Sequence, residues 1–210
     1  VYDNLLYVAV GQDPEHGEGI GNMWCLNPAG AEGDVSPTIV VDKAGDPVPH
    51  RRLQALDSDD GEKEVANEKT IVVWHFDSID ANNDGEIDYE EEMHRACGTA
   101  TIKDGLLYIA DFSGIVYCLD AKASDENKNP TLYWTYDMFS PAWGSPLVVD
   151  GKVYIGDEDG DLSIFEHSKK MKQINEIYME ESIKSTPIVA NNVLYIMTLN
   201  TLYAITPDGK

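Results

Sequence analysis

The sequence is poor in basic residues and has no long apolar run. It contains 15 Lys and Arg against 38 Asp and Glu, so its formal net charge is -23 at pH 7. This excess of negative charge argues against nucleic acid or an anionic membrane surface as a partner, and it favours cations or basic partners. Every apolar run is too short to cross a bilayer, so we expect no membrane-spanning segment.

Cysteine is also scarce. Cys25, Cys97 and Cys118 form no CxxC pair and allow at most one internal bridge, which excludes a disulfide scaffold. Cys25 and Cys118 stand in strand-like apolar stretches and are predicted to be small buried side chains. The sequence has no GxSxG segment, no recognisable Cys/His pair and no glycine-rich phosphate loop, so we predict no catalytic residue. The chain opens inside a strand pattern, and we expect it to belong to a longer protein.

What the sequence does have is a repeat. Four tyrosines each stand three residues after a turn-forming pair of Asp, Asn or Gly residues: Tyr7, Tyr108, Tyr154 and Tyr195. Such pairs tolerate positive φ, which a two-residue hairpin between twisted strands requires. The last two intervals between the tyrosines are 46 and 41 residues. A four-stranded unit at this period, with no helical pattern between copies, is typical of a β-propeller blade.

The sequence therefore predicts an all-β fold, a single partial β-propeller over residues 1–210 with about four four-stranded blades. The predicted segments are blade 1 at 1–77 with an insertion at 29–69, a calcium-loop insertion at 78–97, blade 2 at 98–138, blade 3 at 144–180 and an incomplete blade 4 at 184–206. A sandwich or barrel would not explain why turns and aromatic residues recur in register. Because fewer than four complete blades cannot close a ring, we expect exposed blade edges that favour association.

The sharpest local motif is DANNDGEIDYEE, residues 80–91, which matches a twelve-residue calcium loop of the EF-hand type. Its predicted metal ligands are Asp80, Asn82, Asp84, Glu86 through its carbonyl, Asp88 and Glu91. Calcium requires six to eight oxygen ligands, which explains the alternation of short oxygen-bearing side chains. The preceding segment reads as a strand and not as an entering helix, and only YEEEMHRAC after Asp88 could form a short helix. We therefore expect a single structural calcium loop.

Other candidate sites have simpler interpretations. His16, with Glu15 and Glu18, lies in the glycine-rich loop 12–21 and could bind a metal, although a surface histidine is the commoner outcome. The acidic segment 157–161 coincides with a predicted hairpin turn. Trp74 and Trp134 recur at equivalent blade positions, which predicts packing between blades. NEIYME at 175–180 matches their strands more loosely, with Tyr178 as its aromatic residue. Trp143 is not repeated and is kept as a candidate ligand contact.

The repeated units resemble those of the pyrroloquinoline-quinone-type propellers, the quinoprotein alcohol dehydrogenase-like family. The resemblance is carried by SPLVVDGKVYIGDEDGDLSIFE and ATIKDGLLYIADFSGIVYCLDAKA, followed by a Trp-bearing strand at Trp134. It implies an exported, periplasmic protein. The family includes quinone-dependent dehydrogenases with calcium at the cofactor, and also non-catalytic relatives such as the propeller lipoprotein of outer-membrane protein assembly. The enzymes carry a vicinal cysteine pair, which this sequence lacks.

These observations favour a non-catalytic scaffold outside the cytoplasm, with one structural calcium ion and a protein or small-molecule ligand. A second copy of the chain could also be the partner, through the exposed blade edges. The alternative is a dehydrogenase dependent on pyrroloquinoline quinone (PQQ), whose cofactor site lies largely outside this segment. A Glu/Asn/Asp set or a cysteine pair elsewhere in the protein would favour the enzyme. An apolar groove on a blade edge would favour the scaffold.

Overall fold

The computed structural model describes residues 1–11, 20–80, 82 and 84–207, and these residues form an all-β fold. The strands are β1 Leu6–Val10, β2 Asn22–Leu26, β3 Thr38–Val41, β4 Lys63–Ala66, β5 Val72–Phe76, β6 Thr101–Lys103, β7 Leu106–Ala110, β8 Ile115–Ser124, β9 Pro130–Asp137, β10 Leu147–Val149, β11 Lys152–Gly156, β12 Asp161–Glu166, β13 Gln173–Tyr178, β14 Ile188–Ala190, β15 Val193–Met197 and β16 Leu202–Ile205. Two 3₁₀ turns, Leu53–Ala55 and Tyr89–Glu91, are the helical elements among these residues.

Four antiparallel sheets follow one another along the chain. The first sheet has the order β1-β2-β5, the second β6-β7-β8-β9, the third β10-β11-β12-β13 and the fourth β14-β15-β16. In each four-stranded sheet, strands that are consecutive in sequence are neighbours in space. This up-and-down order repeated in separate sheets is the architecture of propeller blades, and the predicted fold class is confirmed.

The hairpins that lead to the four repeated tyrosines have the predicted backbone conformation. Both turn residues have positive φ in every copy: Asp3 50° and Asn4 63°, Asp104 50° and Gly105 80°, Asp150 49° and Gly151 67°, and Asn191 52° and Asn192 62°. Positive φ at both central positions gives the local twist that matches two right-twisted strands. The turn chemistry thus sets the register of these hairpins.

Three apolar cores lie between consecutive sheets. The first joins Met23, Cys25, Trp74 and Phe76 to Leu107, Ile109, Tyr117 and Leu119. The second joins Tyr108, Val116, Cys118 and Trp134 to Val153, Ile155 and Phe165. The third joins Leu162, Ile164 and Ile183 to Ile196. Each sheet therefore packs against its neighbours in sequence, as expected for a repeat protein.

The two outer sheets have three strands each. In the first copy, the described residues before β1 contribute an isolated bridge between Tyr2 and Leu5 and form no strand equivalent to β6 or β10. Within residues 184–207, the fourth sheet comprises β14, β15 and β16. The insertion at 29–69 forms its own hairpin from β3 and β4. β3 lies in the apolar run TIVVD at 38–42, whereas KEVA in β4 has a single apolar β-branched residue.

One sequence alignment is wrong. We matched the aromatic residue of NEIYME with Trp74 and Trp134, but Tyr178 lies opposite Asp161 in β12. The residue of β13 at the tryptophan position is Asn175, opposite Ile164. Strand β13 is exposed along its whole length, so nothing there requires an aromatic side chain.

No helix in the described part of the chain is long and apolar enough to span a membrane.

Candidate calcium site

The loop at residues 80–91 leaves the end of β5 and returns to it. A bridge between Ser78 and Glu92 closes its base, and the Ile79 amide donates to the Glu91 carbonyl at 3.0 Å. The Met93 amide donates to the Asp77 carbonyl at 2.6 Å. The loop thus connects two antiparallel extended segments. As the sequence predicted, it does not link two helices.

Backbone amides inside the loop point towards the oxygens of the predicted ligands. The two carboxylate oxygens of Asp80 accept hydrogen bonds from the amides of Asp84 and Gly85, at 3.2 and 2.9 Å. The Asn82 side-chain oxygen accepts from the Asp84 amide at 2.8 Å. Asp84 accepts from the Glu86 amide at 2.9 Å. Gly85 has φ of 87°, a backbone conformation that a residue with Cβ rarely adopts, and it allows the sharp turn.

The second half of the loop is a single 3₁₀ turn over Tyr89–Glu91. Asp88 and Glu91 form a capping box at its start, with the Asp88 amide 3.2 Å from Glu91 Oε2. The other oxygen of Glu91 accepts from the Asn82 amide at 3.2 Å. Glu91, the last predicted ligand, therefore reaches back across the loop to its third position. The short helix suggested by the sequence after Asp88 is limited to this turn.

A buried polar cluster connects the loop to the second sheet. Asp111 is fully buried, and Oδ2 accepts from the His94 amide at 3.0 Å and from the Tyr117 hydroxyl at 2.9 Å. The same hydroxyl lies 2.8 Å from the Glu92 carbonyl oxygen. The Tyr117 pKa is raised far above its ordinary value, first because the phenol is buried and then because it faces the Asp111 carboxylate.

Sequence reasoning missed this cluster, although the repeat contains a signal for it. Asp111 begins the turn between β7 and β8, and Asp157 begins the corresponding turn between β11 and β12. Each side chain accepts amide hydrogens from its own turn: Asp111 from Ser113 and Ile115, and Asp157 from Gly160 and Asp161. The acidic segment 157–161 is therefore a hairpin turn, as predicted.

No group of three or more His, Cys, Asp or Glu side chains in a metal-binding arrangement is found among the described residues, which leave out Ala81 and Asn83 of the loop. The calcium assignment thus stays a prediction. The other predicted metal group, Glu15, His16 and Glu18, lies outside the described residues.

Trp143, the candidate ligand contact, is engaged by neighbouring side chains. Its indole nitrogen donates to Glu158 Oε2 at 2.9 Å, and Lys184 Nζ lies 4.5 Å from the ring centre. The ring of Phe112 packs edge-on against it at 4.8 Å. Hydrogen bonds from Lys184 and then from Trp143 lower the pKa of Glu158 below its ordinary value. These contacts join the segments that precede the third and fourth sheets to hairpin turns of the second and third sheets.

Trp74 and Trp134 pack between sheets, as predicted, and each also forms a hydrogen bond. In the first two sheets a row of tyrosine, cysteine and tryptophan crosses the strands: Tyr7, Cys25 and Trp74, and Tyr108, Cys118 and Trp134. Burial raises the pKa of the Cys118 thiol to about 12. Burial likewise raises the pKa of Cys25. Both thiols are buried, whereas Cys97 is exposed.

No protein-family model and no curated protein matches the chain. Among solved structures, the chain is similar to the quinohemoprotein alcohol dehydrogenase ADHIIG from Pseudomonas putida HK5, with 26% identity, coverage of 47% of this chain and 16% of that one, and a TM-score of 0.40. It is also similar to the quinohemoprotein alcohol dehydrogenase from Comamonas testosteroni, with 18% identity, coverage of 55% and 20%, and a TM-score of 0.43. A third is a europium-containing methanol dehydrogenase, with 13% identity, coverage of 52% and 22%, and a TM-score of 0.41. The matched part of the chain spans about a fifth of the length of these proteins.

Proposed function

We propose that this chain is part of a non-catalytic propeller scaffold outside the cytoplasm, which binds a protein or small ligand and holds one structural calcium ion in the loop 80–91. The observation that carries the calcium part is the hydrogen bonding of Asp80, which accepts the amides of both Asp84 and Gly85. This pair of contacts folds the first half of the loop around the oxygens that a calcium ion would need.

Calcium at this position would be held by side-chain oxygens of Asp80, Asn82 and Asp84 in the first half of the loop. The Glu86 carbonyl, Asp88 and Glu91 would complete the shell in the second half. All are oxygen donors of the kind that a hard divalent cation prefers. The base of the loop is hydrogen-bonded next to β5, and in the 3₁₀ turn the Tyr89 hydroxyl donates to the Ser113 hydroxyl at 2.7 Å. Bound calcium would therefore stabilise the junction between the first and second sheets.

The scaffold part of the proposal rests on the contacts that the repeated aromatic side chains make in this molecule. The repeated tyrosines and tryptophans of the first two sheets form contacts between sheets. Trp143 contacts Glu158 and Lys184. The surface left for a partner consists of sheet edges and loops, which is the usual location of function on a repeat scaffold. The negative charge of the chain favours a basic partner over nucleic acid.

Calorimetric titration of calcium into chelator-treated protein tests the metal site, with Asp80→Asn as the deficient variant. We expect heat of binding for the unchanged protein, a higher melting temperature with calcium, and an affinity reduced roughly tenfold or more in Asp80→Asn. Asp59→Asn is the matched control, since Asp59 lies in an acidic turn of the 29–69 insertion and the substitution removes the same charge. Equal binding by both variants would show that calcium binds elsewhere.

A PQQ-dependent dehydrogenase is the second candidate, favoured by the resemblance of the repeats to that family. The residues of this chain do not fit that cofactor site: its three cysteines are far apart in sequence, and Cys25 and Cys118 lie buried between different pairs of sheets. Titration of the protein with PQQ, with and without calcium, separates the two candidates. Tight calcium-dependent binding of the quinone would overturn the scaffold proposal.

A further inference from the structure

The insertion between β2 and β5 contains a cavity of its own. The cavity has a volume of about 610 Å³, which lies in the range of small-molecule sites, about 300–1,000 Å³. We propose that it binds a short peptide of two or three residues, with free termini and apolar side chains. The inference rests on the proposed scaffold function and names the class of small ligand that the scaffold holds.

The insertion distinguishes the first sheet from the other copies. β8 and β9 are joined by residues 125–129 and β12 and β13 by residues 167–172, whereas the equivalent strands β2 and β5 are joined by residues 27–71. The described residues that border the cavity all lie within 34–69. The cavity is therefore formed by this internal segment and not by the edge of a blade. Long connections on a rigid scaffold are a common location of binding sites.

Four apolar side chains form a wall of the cavity. Ile39 in β3 lies opposite Val65 in β4, and Val41 forms a bridge with Pro47. Directly opposite residues share a face of a sheet, and so do residues two positions apart on one strand. These four side chains therefore lie on one face, and all four border the cavity. The wall buries apolar side chains of a ligand that enters.

Hydrogen bonds fix the backbone around this wall. The Asn67 side chain donates to the carbonyls of Asp34 and Ser36, both at 2.9 Å. Asn67 is itself buried. On the other side of β3, the Val48 amide donates to the Val40 carbonyl at 2.9 Å. The cavity is thus held in shape without a ligand, which lowers the entropic cost of binding one.

Charged side chains of both signs border the same cavity. Arg51 and Lys69 are the cations, Asp34 and Glu68 are the carboxylates, and His50 is the remaining titratable residue there. A ligand with one charge would meet groups of the same sign. A zwitterion offers a carboxylate to the cations and an ammonium group to the carboxylates. Free termini with apolar side chains between them match both the charges and the wall.

Arg51 is the proposed anchor for the ligand carboxylate. Its Nη2 lies 2.9 Å from Glu62 Oε1, and its Nη1 donates to the Ala55 carbonyl at 3.3 Å. These contacts orient the guanidinium and use two of its five N–H donors, so further donors are available to a carboxylate. Because the Arg51 side chain is 38% exposed, this pairing contributes more to selectivity than to affinity.

The probe is the dipeptide leucyl-phenylalanine, titrated calorimetrically into the full chain. We expect saturable one-to-one binding. The N-acetylated dipeptide and the dipeptide amide each lack one terminal charge and should bind roughly threefold more weakly or worse. Glycyl-glycine has the same charges without apolar side chains and should show no saturable binding at the same concentrations. Absence of dipeptide binding, or equal binding of the free and blocked forms, would overturn the proposal.

Arg51→Gln tests the position of the site. This variant should remove the difference in affinity between the dipeptide and its amide, because the group that recognises the carboxylate is gone. Arg52→Gln is the matched control: it removes the same charge one residue away, and Arg52 does not border the cavity. This control should retain the difference.

A difference that persists in Arg51→Gln would place the ligand carboxylate elsewhere and overturn the assignment. The calcium and PQQ titrations of the same protein report on the proposed function separately. Loss of dipeptide binding with calcium binding retained would therefore refute this cavity as a site and leave the calcium proposal standing.

Discussion

The indole nitrogen of Trp74 lies 3.0 Å from the carbonyl oxygen of Ala121, across the interface between the first and second sheets. The Tyr7 hydroxyl donates to the same oxygen at 2.9 Å. In the next interface, Trp134 donates to the Ser168 carbonyl at 3.0 Å, while the Tyr108 hydroxyl contacts His167 Nδ1 at 2.9 Å. At both interfaces, hydrogen bonds from a repeated tyrosine and a repeated tryptophan therefore join consecutive sheets, in addition to an apolar core.

Because Trp74 and Tyr7 share the Ala121 carbonyl oxygen, we predict that removing both donors changes the free energy of unfolding non-additively. Tyr7→Phe should lower the free energy of unfolding by about 1 kcal/mol, because the Ala121 carbonyl keeps the Trp74 donor. Trp74→Phe should lower it by more, because this change also leaves a cavity where a fully buried indole stood. The double variant removes both donors. It should be destabilised by more than the sum of the two, with a coupling of about 1 kcal/mol, since an unsatisfied buried polar group costs more than a lost hydrogen bond. Urea unfolding of the four proteins measures this coupling.

The control for this cycle pairs Trp74→Phe with Tyr108→Phe. The Tyr108 hydroxyl belongs to the next interface and has no contact with Ala121, so these two effects should add. Additive behaviour of the Tyr7 and Trp74 variants as well would contradict the shared-acceptor interpretation.

Two glycines of the second sheet predict different costs for the same substitution. Gly105 and Gly114 both have positive φ, 80° and 96°. A Cβ at Gly105 would meet open space, so Gly105→Ala should cost about 1–2 kcal/mol for the left-handed conformation alone. A Cβ at Gly114 would lie 2.4 Å from the Ser140 carbonyl oxygen, so Gly114→Ala should be clearly more destabilising. Thermal unfolding followed by circular dichroism compares the two. Equal shifts in melting temperature would show that the backbone at Ser140 moves away from the new Cβ at position 114 without loss of stability.

Sequence reasoning reached the repeated part of this fold because its turns and aromatic residues are local signals. The pairs such as Asp104 and Gly105 predicted positive φ, and the observed backbone confirms it. The partners of Asp111 were missed because His94 is brought to it by the return of the 80–91 loop, which no local pattern specifies, and because Tyr117 reaches it from the neighbouring strand β8. The alignment of Tyr178 failed because Tyr178 stands three positions after Asn175, the residue that corresponds to Trp134. A shift by an odd number of residues gives a different partner on the neighbouring strand and turns the side chain to the other face of the sheet.

The three cysteines should differ sharply in reactivity. Cys97 is exposed, whereas Cys25 and Cys118 are buried, and burial raises the pKa of Cys118 to about 12. Because the thiolate is the reactive form, a thiol reagent at pH 8 should modify one residue per chain in the native state and three after unfolding in urea. Cys97→Ser should abolish the rapid native reaction, with Cys25→Ser as the control that leaves it intact. Rapid modification of more than one thiol in the folded protein would contradict the burial of the tyrosine–cysteine–tryptophan rows.

The contact of Glu158 with Lys184 and Trp143 predicts a pH-dependent effect on stability. Hydrogen bonds from these two side chains depress the pKa of Glu158 in the folded state. A carboxyl group with a depressed pKa contributes stability that is present above its unfolded pKa and is lost as the pH falls through the folded value. Glu158→Gln should therefore lower the melting temperature at pH 7 and have a diminishing effect as the solution is acidified below pH about 4.

The size of this effect is limited by exposure. The side chains of Glu158 and Lys184 are 36% and 42% exposed, so solvent screening should hold the contribution below about 1 kcal/mol. Glu126→Gln, at an exposed turn of the second sheet, is the matched control and should change little at either pH. Because Glu158 also accepts the indole hydrogen of Trp143, added salt should reduce the difference between Glu158→Gln and the unchanged chain only in part. A difference that vanishes completely in high salt would assign the whole effect to Lys184, and one that persists at pH 3 would contradict the titration of Glu158.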